Sequence, residues 1–363
     1  MNKRMDKILL FSVIVLSIFG LMMIYSASSI WAEYRFNDSF HYLKYQLVFF
    51  LIGLIILYIV SRIDYSYYYK YSNKILLACI ILLILVLIPG IGSIRNGSRS
   101  WFGIGPFGIQ PSEAAKLGLI IFTSKYISSS ERYIKDYIKG VFPILFITLF
   151  IFGLIMLQPD LGTGMILVVS IIALLFIAGI NMKFFIIAGA IGIVGVIILI
   201  IIAPYRMARI TSFIDPWSDA LGSGFQIIQS LYAIGPQGIF GTGYLNSIQK
   251  HFYLPEPQTD FIFSIIAEEF GVIGGVIVVS LFFIILYRGV TIALNQKDHF
   301  AKYLAFGMTF QIIIQSILNL CVVIGLIPVT GVTLPFLSYG GSSLLISMVQ
   351  VGILLNISKG RIK

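Results

Sequence analysis

Apolar runs of membrane-spanning length recur along the whole chain, and they constrain the fold more than any motif does. In hydrocarbon every backbone N–H and C=O must find a partner inside the protein. A chain built from such runs is therefore restricted to helices packed in a bundle or to a closed barrel, and runs of this length select helices. Only 11% of residues are charged and 58% are hydrophobic, with mean hydropathy +0.98, whereas soluble domains carry about 25% charged residues. The chain reads as an all-α polytopic membrane protein, one domain over residues 1–363. The runs predict ten helices, at 8–28, 43–62, 74–91, 112–127, 141–158, 162–180, 184–203, 260–287, 301–328 and 338–357, with a large loop over 204–259 between the seventh and eighth. Glu113 and Lys116 interrupt the start of the fourth.

The first run, from Ile8 to Ile24, is longer than a signal-peptide core and reads as a retained helix. Cys79 and Cys321 lie in apolar runs and form neither a disulfide framework nor a zinc pattern. The histidines, His41, His251 and His299, are dispersed. The net charge of +10 points to topology rather than to nucleic acid. Of the basic residues, 17 fall in connections on one side of the ten-helix layout and 8 on the other. The positive-inside rule assigns the richer side, with both termini, to the cytoplasm.

The opposite, outer side owns the two information-rich connections, 93–113 and 204–259, where glycine, proline and tryptophan collect, Trp101 among them. Long loops of this content are usually functional. In Gln110-Pro111-Ser112-Glu113, proline fits a first helical turn and Glu113 is placed to cap it. Lys116 is three residues on and pairs with Glu113, a pair that should face an interior cavity. Gln158-Pro159-Asp160 is a second outer turn, where Asp160 is either a helix cap or a cavity lining. Arg95, Arg99, Arg206, Arg209 and Lys250 lie outside as headgroup contacts or as guanidinium and ammonium partners for a diphosphate. No glycine-rich nucleotide motif is present. Ser338-Tyr339-Gly340-Gly341 opens the last helix, and its glycines permit close packing or close ligand approach.

Asp260 is the least easily explained as structure. It follows Pro255, Glu256 and Pro257 at the mouth of the eighth run, and Thr259 is available for capping in its place. On an ideal helix Glu268 is about 80° round from Asp260 and about 12 Å deeper, while Glu269 faces away. Those two glutamates read as partners for polar groups on neighbouring helices. Asp260 reads as functional, as intramembrane acids are by default.

These stretches carry a resemblance. RNGSRSWFGIG, IQPSEAAKLG, LQPDLGTG, DPWSDALGSGFQIIQSLYAIGPQGIFGTG, FYLPEPQTDFIFSIIAEEFG and LPFLSYGGSSLL resemble, in order and over most of the chain, the SEDS family (shape, elongation, division and sporulation; FtsW, RodA and SpoVE). The wording is closest to the division and sporulation type. The resemblance implies ten transmembrane helices and a peptidoglycan glycosyltransferase polymerising lipid II on the outer face of the bacterial cytoplasmic membrane. It implies that Asp260 is the essential acid and that a class B penicillin-binding protein transpeptidase is the partner, alongside other division or elongation machinery. It also implies a supporting divalent cation, Mg2+ or Mn2+. One departure is that Ile248 stands where many division-type members have an arginine, so a phosphate contact there is not carried over.

The implied chemistry suits one carboxylate. The donor leaves as a diphosphate, so no second carboxyl is needed to protonate a poor leaving oxygen, as it is in glycosidases. One base and a cationic clamp suffice. Asp260 is the expected base. Arg95, Arg99, Arg209, Lys116 and Lys250 are the candidate clamp, and Trp101, Gln110, Glu113, Gln158, Asp160, Ser338, Tyr339, Gly340 and Gly341 are further candidate substrate contacts. The alternatives are a lipid II flippase, which needs polar groups reachable from both faces, and a non-catalytic scaffold, which needs no acid at the cavity mouth.

Overall fold

The computed structural model describes residues 5–360 except 96, 104–106, 135 and 236. The chain is almost wholly helical: α1 Lys7–Phe36, α2 His41–Val60, α3 Ser66–Leu87, α4 Pro111–Ser129, α5 Phe142–Met156, α6 Leu161–Ile177, α7 Met182–Ile202, α8 Pro204–Ile214, α9 Phe225–Ile234, α10 Ile262–Leu294, α11 His299–Val323 and α12 Gly341–Ser358. Among the described residues eight helices are long and apolar enough to cross a membrane. Two more, α4 with its buried charges and the shorter α6, pack inside the same bundle against α11. A small hairpin, β1 Ser93–Arg95 with β2 Ser98–Trp101, lies between α3 and α4.

The core forms around α11 and α12. α11 packs on α10, α4 and α6, while α12 packs on α2. α7 is the opposite extreme: none of its residues is buried, and it packs chiefly on α8. Ser358 and Asp6 meet, the Asp6 amide donating to the Ser358 hydroxyl at 3.1 Å. Asp6 also receives the Arg288 guanidinium, its Nε at 2.9 Å. The two ends of the described chain thus lie at the same end of the bundle.

Several sequence expectations need correction. The 204–259 segment is not a plain loop: it holds α8, started by Pro204, and α9. Both are too short to span, so a search for long apolar runs passes over them. Helix α1 continues to Phe36 and α3 begins at Ser66, because polar and aromatic turns at the membrane edge stay helical. α11 stops at Val323, where Gly325 takes a left-handed φ of 72°.

The eighth predicted run, now α10, is neither continuous nor begun by Asp260. It starts at Ile262 and breaks at Gly271, whose φ of 60° and ψ of −152° leave the helical region. The residues 238–243 fill the break. The amides of Thr242 and Gly243 donate to the carbonyls of Glu268 and Glu269 at 2.9 Å each, and the amides of Val272 and Ile273 donate to the carbonyls of Gly238 and Ile239 at 3.2 and 3.3 Å. Irregular backbone at such depth is stable only when protein groups satisfy it. A Cβ on Gly271 would lie 2.5 Å from the Gly241 amide nitrogen, and one on Gly241 would lie 2.5 Å from the Glu269 carbonyl, so both positions require glycine.

Candidate functional site

Asp260 lies two residues before α10, half-buried, with its carboxylate accepting from the Thr259 hydroxyl at 2.9 Å. Its backbone carbonyl accepts from the Asn319 amide of α11 at 2.7 Å. Burial pushes the carboxyl up from its ordinary value. The Thr259 hydrogen bond and the Arg209 cation oppose this, and the Glu256 carboxylate adds to it. Arg209 is exposed on α8 and is tied by one guanidinium N–H to the Val329 carbonyl at 2.9 Å. Among the described side chains, it is the cation whose charge opposes the shift at Asp260. Tyr339 borders the same segment, its amide donating to the Gln258 carbonyl at 2.8 Å.

Gln46 of α2 secures the neighbouring turn, donating to the Ser338 carbonyl at 3.3 Å and accepting from the Gly340 amide at 3.2 Å. Ser338 in turn accepts from the Leu334 amide at 2.8 Å. Ser338, Tyr339 and Gly340 therefore precede the last helix instead of opening it. At Gly341 the close-packing reading holds, since a Cβ there would press on the Phe49 ring at 2.5 Å.

A second polar group gathers at the starts of α4 and α6. Glu113 and Lys116 pair at 2.8 Å with side chains 9% and 1% exposed. Glu113 does not cap α4, which has no side-chain cap; the nearby ammonium takes its carboxylate. Lys116 also donates to Gln315 of α11 at 2.9 Å. Asp160 takes the cap reading: one oxygen caps α6 through the Thr163 amide at 3.0 Å, and the other accepts from Gln110 at 3.0 Å. Burial raises its pKa, against the Thr163 bonds. Gln158 is fully buried beside the hairpin, and its carbonyl accepts from Ser98 and from Ser100.

The remaining candidates go elsewhere. Lys250 is buried in an ion pair with Glu269 at 3.2 Å and also donates to Ser26 of α1. This use explains its burial, with its charge met by Glu269 and two of its three N–H donors taken. Glu268 accepts from the Ser247 hydroxyl and from the Ile248 amide at 2.7 Å. The two glutamates therefore clamp the segment that leads to Asp260. Arg99 donates to the Leu87 carbonyl at 3.5 Å, at the end of α3. Trp101 closes β2, its carbonyl accepting from Ser93 at 3.0 Å. The Arg95 side chain lies outside the described residues.

Sequence reasoning missed Gln315 and Asn319. The signal was present: Gln311, Gln315 and Asn319 recur every four residues in an otherwise apolar helix, forming one polar stripe. All three are buried. Gln315 donates to the Thr333 carbonyl at 3.1 Å, and Asn319 donates to the Val332 carbonyl at 2.8 Å. The stripe thus connects the Lys116 group to the Asp260 group.

Comparisons with known proteins agree with this architecture. Residues 6–363 match the FtsW/RodA/SpoVE family model, described as "Cell cycle protein". The chain is 50% identical to stage V sporulation protein E of Bacillus subtilis over 98% of this chain and 97% of that protein. It is 42% identical to a probable peptidoglycan glycosyltransferase FtsW of Trichlorobacter lovleyi over 98% and 93%. A solved structure described as "Structural coordination of polymerization and crosslinking by a peptidoglycan synthase complex" superposes with a TM-score of 0.80 at 30% identity, covering 98% of this chain and 97% of that one. The rod shape determining protein RodA of Thermus thermophilus superposes with a TM-score of 0.73 at 27% identity, covering 99% and 98%. With the match running from Asp6 to the last residue, the chain belongs to the FtsW/RodA/SpoVE family of cell cycle proteins.

Proposed function

We propose that the protein is a peptidoglycan glycosyltransferase that polymerises lipid II on the outer face of the bacterial cytoplasmic membrane. The observation that carries this reading is Asp260: a half-buried carboxylate at the mouth of α10, fixed through its own backbone and hydroxyl-bonded at one oxygen. In the transfer, the Asp260 carboxylate takes the proton of the acceptor 4-hydroxyl. The oxygen attacks the donor anomeric carbon, the bond to the diphosphate breaks, and the new β-1,4 link has inverted configuration. Arg209, exposed and electrostatically coupled to Asp260, supplies positive charge where the leaving diphosphate accumulates negative charge. The buried Glu113–Lys116 pair and the Asp160–Gln110 bond support the site from beneath.

Among the described residues no three His, Cys, Asp or Glu side chains converge. The donor set does not fit a divalent cation caged by the protein. Mg2+ or Mn2+ would arrive on the diphosphate oxygens.

The basic-residue asymmetry supports cytoplasmic termini and an outer 204–259 segment. We assign the partner to the class B transpeptidases. The surface offered to its single membrane helix is the lipid-facing side of α10, where Gly235, Gly238, Gly271 and Gly275 line a cavity of about 460 Å3. Small residues there allow close helix approach.

The test is glycan synthesis from purified lipid II by the protein with its transpeptidase. Asp260→Asn keeps the shape and removes the base, and should lose polymerisation by roughly 10²-fold or more. Near-wild-type polymer from that variant would refute the role. No polymer from the wild-type complex would favour a flippase.

A further inference from the structure

Asp260 is well placed to have been the first residue of α10, yet it is not. In a continued helix its carbonyl would accept from the Ser264 amide, four residues on. That amide instead donates to the Phe261 carbonyl at 3.0 Å. The Asp260 carbonyl accepts from Asn319 at 2.7 Å. An amide side chain has two N–H donors, and the second binds the Val332 carbonyl at 2.8 Å. Asn319 is 1% exposed, so the fork is protected from competing water. Asp260 thus stands outside the helical ladder, ahead of the first turn of α10, with its carbonyl held from α11.

The fork has its own support. One turn earlier on α11, Gln315 donates to the next carbonyl along the same loop, Thr333, at 3.1 Å. The Gln315 oxygen accepts from Lys116 at 2.9 Å, and Lys116 is held by Glu113 at 2.8 Å. The donors of this network are engaged, Lys116 by Glu113 and Gln315, and Asn319 by two carbonyls, while the Asn319 Oδ1 accepts from no donor among the described residues. A chain of contacts therefore runs from the α4 ion pair through one face of α11 to the backbone of Asp260.

We propose that Asn319 is a positioning residue for glycosyl transfer: it fixes where the Asp260 carboxylate points, and Gln315, braced by the Glu113–Lys116 pair, fixes the loop that Asn319 also grips. This rests on Asp260 being the base. It makes Lys116 an indirect contributor to rate, acting through α11 without touching substrate. A displacement of about 1 Å at a reacting group can cost on the order of 10²-fold in rate, which sets the size of effect to seek.

The experiment measures kcat and KM for lipid II polymerisation by the complex with its transpeptidase. Asn319→Ala should lower kcat by roughly 10- to 100-fold with KM within about two-fold of wild type, the range expected for a misplaced catalytic group. Asn319→Leu, close in size and shape but without donors, should match Asn319→Ala. Asn319→Gln, which keeps the donors, should recover part of the loss. In an Asp260→Asn background, Asn319→Ala should cause no further loss, because the group it positions is gone. Wild-type kcat in Asn319→Ala, a rise in KM in place of the fall in kcat, or an undiminished loss in the Asp260→Asn background would each overturn the proposal.

Should no Asn319 variant fold, Gln315→Glu serves, since it keeps an oxygen for Lys116 and removes the donor to Thr333. A lowered kcat supports the proposal and an unchanged one overturns it. If Asp260→Asn itself polymerises normally, the base assignment fails. If Asp260→Asn is inactive while Asn319→Ala is not, the positioning role alone fails.

Discussion

Lys250 and Glu269 meet as a buried ion pair, Nζ to Oε1 3.2 Å apart, with side chains 3% and 0% exposed. The lysine comes from the segment before α10 and the glutamate from α10 itself, and Ser26 of α1 bonds to both. Removing one partner of such a pair leaves an uncompensated buried charge, at a cost of about 3–5 kcal/mol. Lys250→Met should therefore lower the thermal stability of the purified protein, and Lys250→Met with Glu269→Gln should recover part of it. A Lys250→Met protein that is fully stable but has a raised KM for lipid II would return Lys250 to the diphosphate.

The Glu113–Lys116 pair follows the same physics with a further partner. Lys116→Ala strands the Glu113 carboxylate and the Gln315 oxygen together. Folded protein in the membrane should fall along with activity, by a stability loss of about 3–5 kcal/mol. Normal abundance and melting temperature with activity abolished would show that Lys116 touches substrate.

The pH profile should report Asp260. Burial, with help from Glu256, holds its carboxyl above the ordinary range despite Thr259 and Arg209, and a free aspartate titrates near about 3.9. A base must be ionised. Activity should accordingly be full above the raised pKa and fall as pH drops through it, so the acid limb of kcat/KM should lie above the usual carboxylate range. Arg209→Gln removes a charge that favours ionisation and should move that limb further up, whereas Glu256→Gln should move it down. An acid limb at the ordinary value, indifferent to both changes, would dissociate it from Asp260.

Orientation is testable at the turn after a short 3-10 helix, Pro216–Asp219. Ser223 is exposed and bonded to Asp219. A cysteine in its place should react with an impermeant thiol reagent added to intact cells. Reaction only after permeabilisation would invert the topology and place Asp260 on the wrong side for lipid II.

The long spans were legible because a bilayer imposes one period and one length on them, and the acid in TDF stood out because nothing local required it. What the sequence hid was long-range. Nothing in NSIQKHF says that Lys250 will turn inward to meet Glu269, 19 residues later, or that Glu268 will collect the amides around Ile248. The break at Gly271 was hidden because a glycine in an apolar run is compatible with an intact helix. It needs Gly241, 30 residues earlier, to make the break stable. Helices α8 and α9 escaped because, at 11 and 10 residues, they are too short for a search based on spanning length. The Gln311–Gln315–Asn319 stripe was readable from its four-residue spacing, but its partners, the carbonyls of Asp260, Val332 and Thr333, were not.

The break in α10 also has a mechanical consequence. A membrane helix tilts as bilayer thickness fluctuates, and a continuous rod would transmit that tilt to whatever it carries at its tip. Here the inner part of α10 is joined to the outer turn through Gly271 and the residues 238–243. The outer turn is anchored sideways, by Glu269 to α1 and by the Asp260 carbonyl to α11. The place of the acid is thus set by its sideways ties to α1 and α11 and not by the direction that α10 takes beyond Gly271.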